Sequence, residues 1–573
     1  MQRKLASRLI SVLIITAVML AACSNSKDSS SPSASDAGGS PSAPATSDAS
    51  ASPTAAEEAK DPLGKYPEPV TVTMVLGART PESKEVPAGL TPDQNGYLKK
   101  LKEMTNIEVK YDWTVPYEQF TQKFKLSIAS GDLPDVMYVD QITFEQFKAQ
   151  GVLGDLTQAY EDYASPTIKK WMAFDDGASI NMMKSDDGKL LGLPSYSDAN
   201  QSLQTVWIRA DWLKNVGLEA PQTFEDLEKI ADAFTHKDPD QDGKADTYGL
   251  ALMKTLNFWG FDARGFFNMM GAYPYNFIKG TDGGLVAGEM LPETKNALAK
   301  LAEWYKNGLL DKEWAFKDEN KVVEDMVAGK VGMSFGEWWY PNWPLNLVKD
   351  SEPKAEWINV PLPSYNGNPG KSLVPRARIG KILVVNKDFA HPEAAIKMAN
   401  FYPEMTKKEY LDIATPAQGF VYEWYEPRIS NPTEMETNYV QVNEALKAND
   451  DNYPFENGSG AMLYETAKKY AGGDAASWGL TFSRASEDGG WGVTRKVRDA
   501  GTFVRSGYAG PPTPTQVEKG ASLLKLTDET FTKIIMGSAS VDAFDKFAED
   551  WKKLGGNDIL KEVNDWYAKN PME

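Results

Sequence analysis

The segment "DPDQDGKADTYG", residues 238–249, concentrates oxygen donors in a pattern that suits a hard cation. Asp238, Asp240, Asp242 and Asp246 occupy positions 1, 3, 5 and 9 of an EF-hand-type loop; Gly243 falls at the sharp turn and Lys244 offers a backbone carbonyl at position 7. Oxygen-only donors at this spacing favour calcium over zinc. Position 12 is Gly249 rather than a bidentate glutamate, so one ligand is missing or comes from water or another segment. The expected role is structural, with calcium neutralising four crowded carboxylates and pinning a loop. The plainer alternative is a polar Asp/Gly turn.

A second chemistry resides in the sixteen tryptophans. Flat aromatic faces bind the C–H surfaces of sugars, while planar polar side chains take the hydroxyls. The densest aromatic stretch is "GEWWYPNW" (336–343), and "LNFWGFDARGFF" (256–267) is also rich in rings. Support for catalysis is thinner. His236 and His391, the two histidines, are far apart and each lies beside an ordinary helix end, a poor basis for a zinc cluster or a Ser-His-Asp triad. A glycosidase needs only two suitably spaced carboxylates, and eighty acidic residues leave that alternative open.

The elements that must position these groups begin well inside the chain. "MQRKLASRLISVLIITAVMLAAC" (1–23) has a basic start at Arg3, Lys4 and Arg8 and an apolar core from Leu9 to Leu20, too short to span a bilayer. It reads as an export signal over 1–22. "LAAC" (Leu20 to Cys23) resembles the bacterial lipobox, in which cleavage precedes the cysteine and its thiol is acylated; Cys23 is the sole cysteine. The expectation is a protein lipid-anchored through Cys23 to the outer face of the cell membrane. Residues 23–65 are rich in Ser, Ala and Pro and almost free of large apolar side chains, so they cannot offset folding entropy and read as a tether.

Beyond it, alternating strand and helix patterns appear: "VTVTMVL" (70–76), "DQNGYLKKLKEMTN" (93–106), "IEVKYDW" (107–113), "EQFTQKFKLSIASG" (118–131) and "PDVMYVD" (134–140). This β-α-β-α-β order predicts a largely parallel, helix-covered sheet. Ligands bind beyond the C-terminal ends of such strands, which places Tyr138, Asp140 and Gln141 at a cleft edge. A second α/β region starts near Val206 and includes a helix from about Thr223; "KILVVNKDFAHPEAAIKMANFY" (381–402) returns to strand then helix, and the C-terminal third is mostly helical. Net charge is −19 with no basic stripe, which argues against nucleic acid as a partner.

Several stretches, "SGDLPDVMYVD", "DGKLLGLPSY", "VWIRADWLKNVGLEAPQTFEDL", "VAGKVGMSFGEWW" and "GGNDILKEVNDWY", resemble extracellular solute-binding proteins. More narrowly, they resemble the lipoprotein carbohydrate-binding components of ABC importers, distantly similar to maltose-binding protein. The resemblance implies a two-lobed α/β fold of the periplasmic-binding-protein-like type II, a monomer that closes by hinge rotation around an oligosaccharide and delivers it to permease subunits. Its lobes are expected at 66–198 plus about 379–430, and at 199–378 plus much of 431–573, with crossovers at "GLPSYSDANQSLQTVW" (192–207) and "VPRARIGKILVV" (374–385). It also implies that Trp338, with Trp339 adjacent, stacks on a sugar ring. Trp259, Asp198, Tyr196 and Arg376 join Asp140 and Gln141 as further candidate contacts. The chain has no "GxxxxGK[ST]" loop, so the ATPase would be another protein. A surface-anchored glycoside hydrolase and a peptide-binding lipoprotein are the alternatives.

Overall fold

The β-branched run "VTVTMVLG" forms strand β1 (Val70–Gly77) in the computed structural model, which describes residues 60–78, 89–376, 378–410, 413 and 424–570. Cys23, the export signal and the tether up to residue 59 lie outside the described residues. The strands that follow are β2 (Ile107–Val115), β3 (Val136–Val139), β4 (Leu193–Ser197), β5 (Thr205–Arg209), β6 (Phe277–Lys279), β7 (Leu285–Ala287), β8 (Met333–Gly336), β9 (Trp357–Val360), β10 (Ser372–Val374), β11 (Arg378–Val385) and β12 (Phe503–Arg505).

The first region pairs β1 and β2 in parallel, from Val70 opposite Ile107 to Gly77 opposite Val115. Asp135, just ahead of β3, fixes that strand against β1: its carboxylate accepts from the Thr73 amide at 2.8 Å and the Thr73 hydroxyl at 2.7 Å. The expectation of a largely parallel sheet holds only for β1 and β2. β3, β11 and β4 form a separate three-stranded sheet with β11 central and antiparallel to both neighbours. The physical reason is direction of travel, because β11 enters from the second region and must run against strands that leave toward it.

The second region is built on β8-β5-β9, antiparallel throughout, with Val206 opposite Phe335 and Val360. Each region has its own apolar core. One gathers Val72, Leu76, Phe144, Phe147, Leu193 and Ile382; the other gathers Val206, Ile208, Trp212, Phe234, Phe266, Trp304 and Phe335. The C-terminal helices Pro514–Ile535, Ala543–Trp551 and Asn557–Lys569 bury Phe531, Phe547, Trp551 and Val563 in the second core.

Local chemistry sets several element ends. The helix Phe224–His236 starts with a capping box, in which the Thr223 hydroxyl and the Asp226 carboxylate satisfy each other's backbone amides. The helix Pro392–Met405 takes proline in its first turn, where the missing N–H costs nothing. The helix Gln141–Gln150 is capped by Asp140 and stops at Gly151, whose φ of 64° favours glycine. No helix among the described residues is long and apolar enough to cross a membrane.

Candidate functional site

Three tryptophans from two separate segments lie together beside the second sheet. Trp259 and Trp343 stack with centroids 5.3 Å apart and planes 23° apart; Trp339 lies 4.8 Å from Trp259 and 6.1 Å from Trp343. Trp259 is 39% exposed and its neighbour Phe258 45%, while Trp339 and Trp343 are half-buried behind them against a core cluster, so the stack reaches solvent along its Trp259 edge. Isolated exposed rings need no explanation, but a contiguous aromatic face points to binding.

The segment carrying Trp259 is shaped by its own side chains. The Asp262 carboxylate accepts from the amides of Phe258 and Arg264, both at 2.9 Å, and from Arg264 Nε at 2.7 Å. The Tyr340 hydroxyl accepts from the Phe261 amide at 2.9 Å and donates to the Phe335 carbonyl at 2.8 Å. Gly260 matters because a Cβ there would sit 3.1 Å from the Trp339 ring. The loop can therefore lie close against the indole.

Glu337, on the turn after β8, lies 2% exposed under this face. Its Oε2 accepts from Trp339 Nε1 at 3.1 Å and from Arg378 Nη2 at 3.3 Å, while Arg264 Nη2 is 3.6 Å from Oε1. Arg378 opens β11 opposite Ser197, the last residue of β4, so the aromatic stack adjoins the strands that join the two regions.

Trp338, expected as the stacking ring, is placed elsewhere. It is 8% exposed, packs with Met435, Tyr439 and Trp491, and has the Arg484 guanidinium 5.4 Å from its ring. Adjacent residues on the turn point to opposite sides, so Trp339 faces the exposed stack and Trp338 the interior. Tyr196, also expected among the contacts, faces inward. It is buried in the first core and its hydroxyl donates to the Trp171 carbonyl, which leaves it no free face.

The other candidates occupy positions around the crossovers. Asp198 caps the turn Ala199–Ser202, accepting from the Asn200 amide at 2.9 Å; burial pushes its carboxyl above the usual range, while Arg498 opposes the shift. Glu436 accepts from Trp491 Nε1 and Arg498 Nη1, both at 3.1 Å, and links that crossover to the Trp338 side. Arg376 Nε donates to the Ser506 carbonyl at 2.9 Å. Asp140 is exposed with its carboxylate on the Thr143 amide at 2.7 Å, and Gln141 follows at the helix start. The structure joins Trp259 with Trp339, and among the described residues neither shares a ring contact or hydrogen bond with Asp140 or Tyr196. Glu337, Trp343, Phe258, Arg264 and Arg378 were not singled out from sequence. The quoted aromatic stretches contained all but Arg378, but only the fold shows which rings converge.

In the acidic loop, carboxylate oxygens of Asp238, Asp240 and Asp242 lie within 4.8 Å of one another. Asp246 is not part of that cluster. The Gly243 amide reaches the Asp238 carboxylate at 3.2 Å, and the Lys244 amide donates to Asp242 at 2.8 Å. Asp240 Oδ1 is buried without a hydrogen-bond partner, and burial, with Asp238 and Asp242 beside it, pushes its carboxyl up. A buried acceptor aimed among like charges fits a cation. Thr247 is turned inward, its hydroxyl donating to the Phe234 carbonyl at 2.7 Å rather than facing the carboxylates.

Two proteins of Bacillus subtilis (strain 168) are each 24% identical to this chain. Lipoprotein LipO aligns over 87% of this chain and 93% of its own, and the polygalacturonan/rhamnogalacturonan-binding protein YtcQ over 83% and 89%. Among solved structures, the alginate-binding protein AlgQ2 without calcium ion gives a TM-score of 0.61 at 16% identity, covering 89% of this chain and 100% of its own. The EF-hand mutant of the Streptococcus pneumoniae ABC-transporter substrate-binding protein FusA, in complex with fructo-nystose, gives 0.56 at 17% identity over 87% and 99%. These structural likenesses show a two-lobed solute-binding fold. The family model described as bacterial extracellular solute-binding protein matches residues 88–402, more than half of the sequence, and this chain belongs to that family.

Proposed function

We propose that this protein captures an oligosaccharide between its two lobes and delivers it to the permease of an ABC importer. The observation that carries this reading is the stack of Trp259, Trp339 and Trp343, open to solvent at Trp259, beside the strands joining the two cores. Indole faces match the C–H faces of pyranose or furanose rings, and the nearby guanidinium of Arg378 supplies donors to hydroxyls. Carbohydrate ligands named for the relatives support the same class. In this reading Asp198, Arg376, Asp140 and Gln141 line the approaches to the stack. Trp338 backs it from the interior.

In this reading the lobes are 66–198 plus about 379–430, and 199–378 plus much of 431–573; the two separate cores support such a division. Ligand contacts made to both lobes stabilise the closed state over the open one, which is the whole energetic basis of closure. Calcium, held by Asp238, Asp240 and Asp242 with the Lys244 carbonyl and Asp246 as further donors, would rigidify its loop as a structural ion. Acylation of Cys23 would tether the monomer to the outer face of the cell membrane.

A panel of pectic, fructan and alginate-type oligosaccharides screened by thermal shift, then titrated by calorimetry, tests the proposal. One-to-one binding with the sugar recovered intact is expected. Persistent cleavage products in a rigorously purified sample would favour a glycoside hydrolase, and stabilisation by peptides alone a peptide-binding lipoprotein.

A further inference from the structure

Glu337 is a buried carboxylate among three groups drawn from three different places. Trp339 Nε1 donates to it from the same turn at 3.1 Å, Arg264 approaches from the Trp259 segment at 3.6 Å, and Arg378 approaches from β11 at 3.3 Å. A carboxylate this buried is tolerated only where cations and donors compensate it. Each neighbour is therefore held by a charge that cannot be left unmatched.

The three neighbours differ in what they move with. Trp339 and Arg264 belong to the second core's side of the molecule, and Arg264 is fixed to Asp262, the residue that shapes the Trp259 loop. Arg378 stands at the boundary between the two proposed lobes, and as the first residue of β11 it belongs to the sheet β3-β11-β4 on the first core. Its Nη1 is buried with no hydrogen-bond partner among the described residues, and its Nη2 reaches across to Glu337 of the second region. A rotation that carries the start of β11 away from the turn after β8 stretches the Arg378–Glu337 pair. The same carboxylate oxygen also orients the Trp339 indole.

We propose that Glu337 is a positioning residue that couples the aromatic stack to the opening angle between the lobes. The inference rests on the proposed ligand site for its use, but the coupling itself exists without ligand. As the lobes open, Glu337 loses Arg378 and transfers its demand for donors to Trp339 and Arg264, shifting the ring on which sugar stacks. As they close, Arg378 restores the arrangement seen here. A sugar on Trp339 therefore favours the interlobe geometry in which Glu337 is fully paired.

The test is made on the ligand-free full chain carrying Cys23→Ser, with spin labels at Gln122→Cys and Lys306→Cys, both exposed and one on each side. A parallel sample carries 5-fluorotryptophan, with the Trp339 and Trp259 resonances identified by Trp339→Phe and Trp259→Phe. Arg378→Gln, a change at the start of β11, is expected to shift both resonances on the second side and to broaden the interlobe distance distribution. Glu337→Gln should do the same, and the double variant should add nothing beyond the larger single effect, because both changes remove one interaction. Arg378→Lys should restore part of the parent behaviour, which a general packing defect would not. If Glu337→Gln does not fold, the Arg378→Gln and Arg378→Lys comparison decides alone. Resonances and distances unchanged by Arg378→Gln would overturn the coupling. Failure of every oligosaccharide to bind, with coupling intact, would instead overturn the ligand assignment.

Discussion

Trp338 meets Trp491 edge to face, with ring centroids 6.2 Å apart and planes at 88°. This contact divides two adjacent tryptophans by role, one holding the turn to the helix Gly490–Asp499 and the other facing the exposed stack. The two roles predict opposite phenotypes. Trp338→Ala should lower ligand-free stability by about 3–5 kcal/mol, the range for a buried Trp truncated to Ala. Trp259→Ala should leave that stability nearly unchanged and weaken oligosaccharide binding by about 1–3 kcal/mol. Denaturant melts and calorimetric titrations of the two variants check the contrast. A large stability loss in Trp259→Ala would move that ring into the core.

The acidic loop makes its own prediction. Three carboxylates with oxygens within 4.8 Å repel one another unless a cation lies between them. Chelation should lower the unfolding midpoint and added calcium should restore it, by about 2.7 kcal/mol at a hundredfold excess over the dissociation constant. Asp240→Ala should abolish the response, since that residue carries the buried unpaired oxygen. Identical melts with chelator and with calcium would leave the segment a turn.

Much of the fold was legible because local chemistry agrees with it. β-branched alternation marked β1, the Thr223 to Asp226 spacing marked a capped helix, and Pro392 marked the start of another. The antiparallel β11 was not legible, since a strand's direction depends on which side its chain returns from. Within the candidate site, sequence pointed to two aromatic segments that the fold brings together but not to which of their faces meet. Nothing in "EWWY" says that Trp338 turns toward Trp491 while Trp339 turns toward Trp259; that is decided by Tyr340, whose hydroxyl pins the turn to Phe335 and Phe261. Tyr196 misled for a similar reason, because its partner is a backbone carbonyl 25 positions away.

Anchoring is tested on the one thiol. Cys23→Ser should release the protein from the membrane fraction while oligosaccharide binding stays within twofold of the parent, because the Ser/Ala/Pro-rich sequence that follows Cys23 has almost no large apolar side chains to bury. Fractionation followed by titration of the released protein checks both halves. Full retention of the variant with membranes would require another anchor.

The last prediction concerns pH and rests on Glu289, which is 8% exposed beneath the C-terminal helices. It lines a cavity of about 150 Å³ with Tyr275, Leu523, Thr527, Trp551 and Ile559. Its carboxylate accepts the Tyr275 amide at 3.2 Å, and no cation pairs with it among the described residues. The facing groups are Tyr275, whose hydroxyl donates to Asp528 at 2.8 Å, and Asp528 itself, also pushed up by burial. Burial raises the Glu289 carboxyl from 4.5 to about 7. The folded state therefore holds this proton where the unfolded chain has released it. Stability from the protonated form is fully present below pH 4.5 and is lost as pH rises through about 7. At 1.36 kcal/mol per unit, the loss is about 3 kcal/mol between those limits. Glu289→Gln removes the charge while keeping the shape, so it should flatten that fall and leave the variant more stable than the parent at pH 8. Denaturant titrations at pH 5 and pH 8 in saturating calcium isolate the effect from the acidic loop. Parallel pH dependence in the two proteins would mean that Glu289 is hydrated and charged throughout.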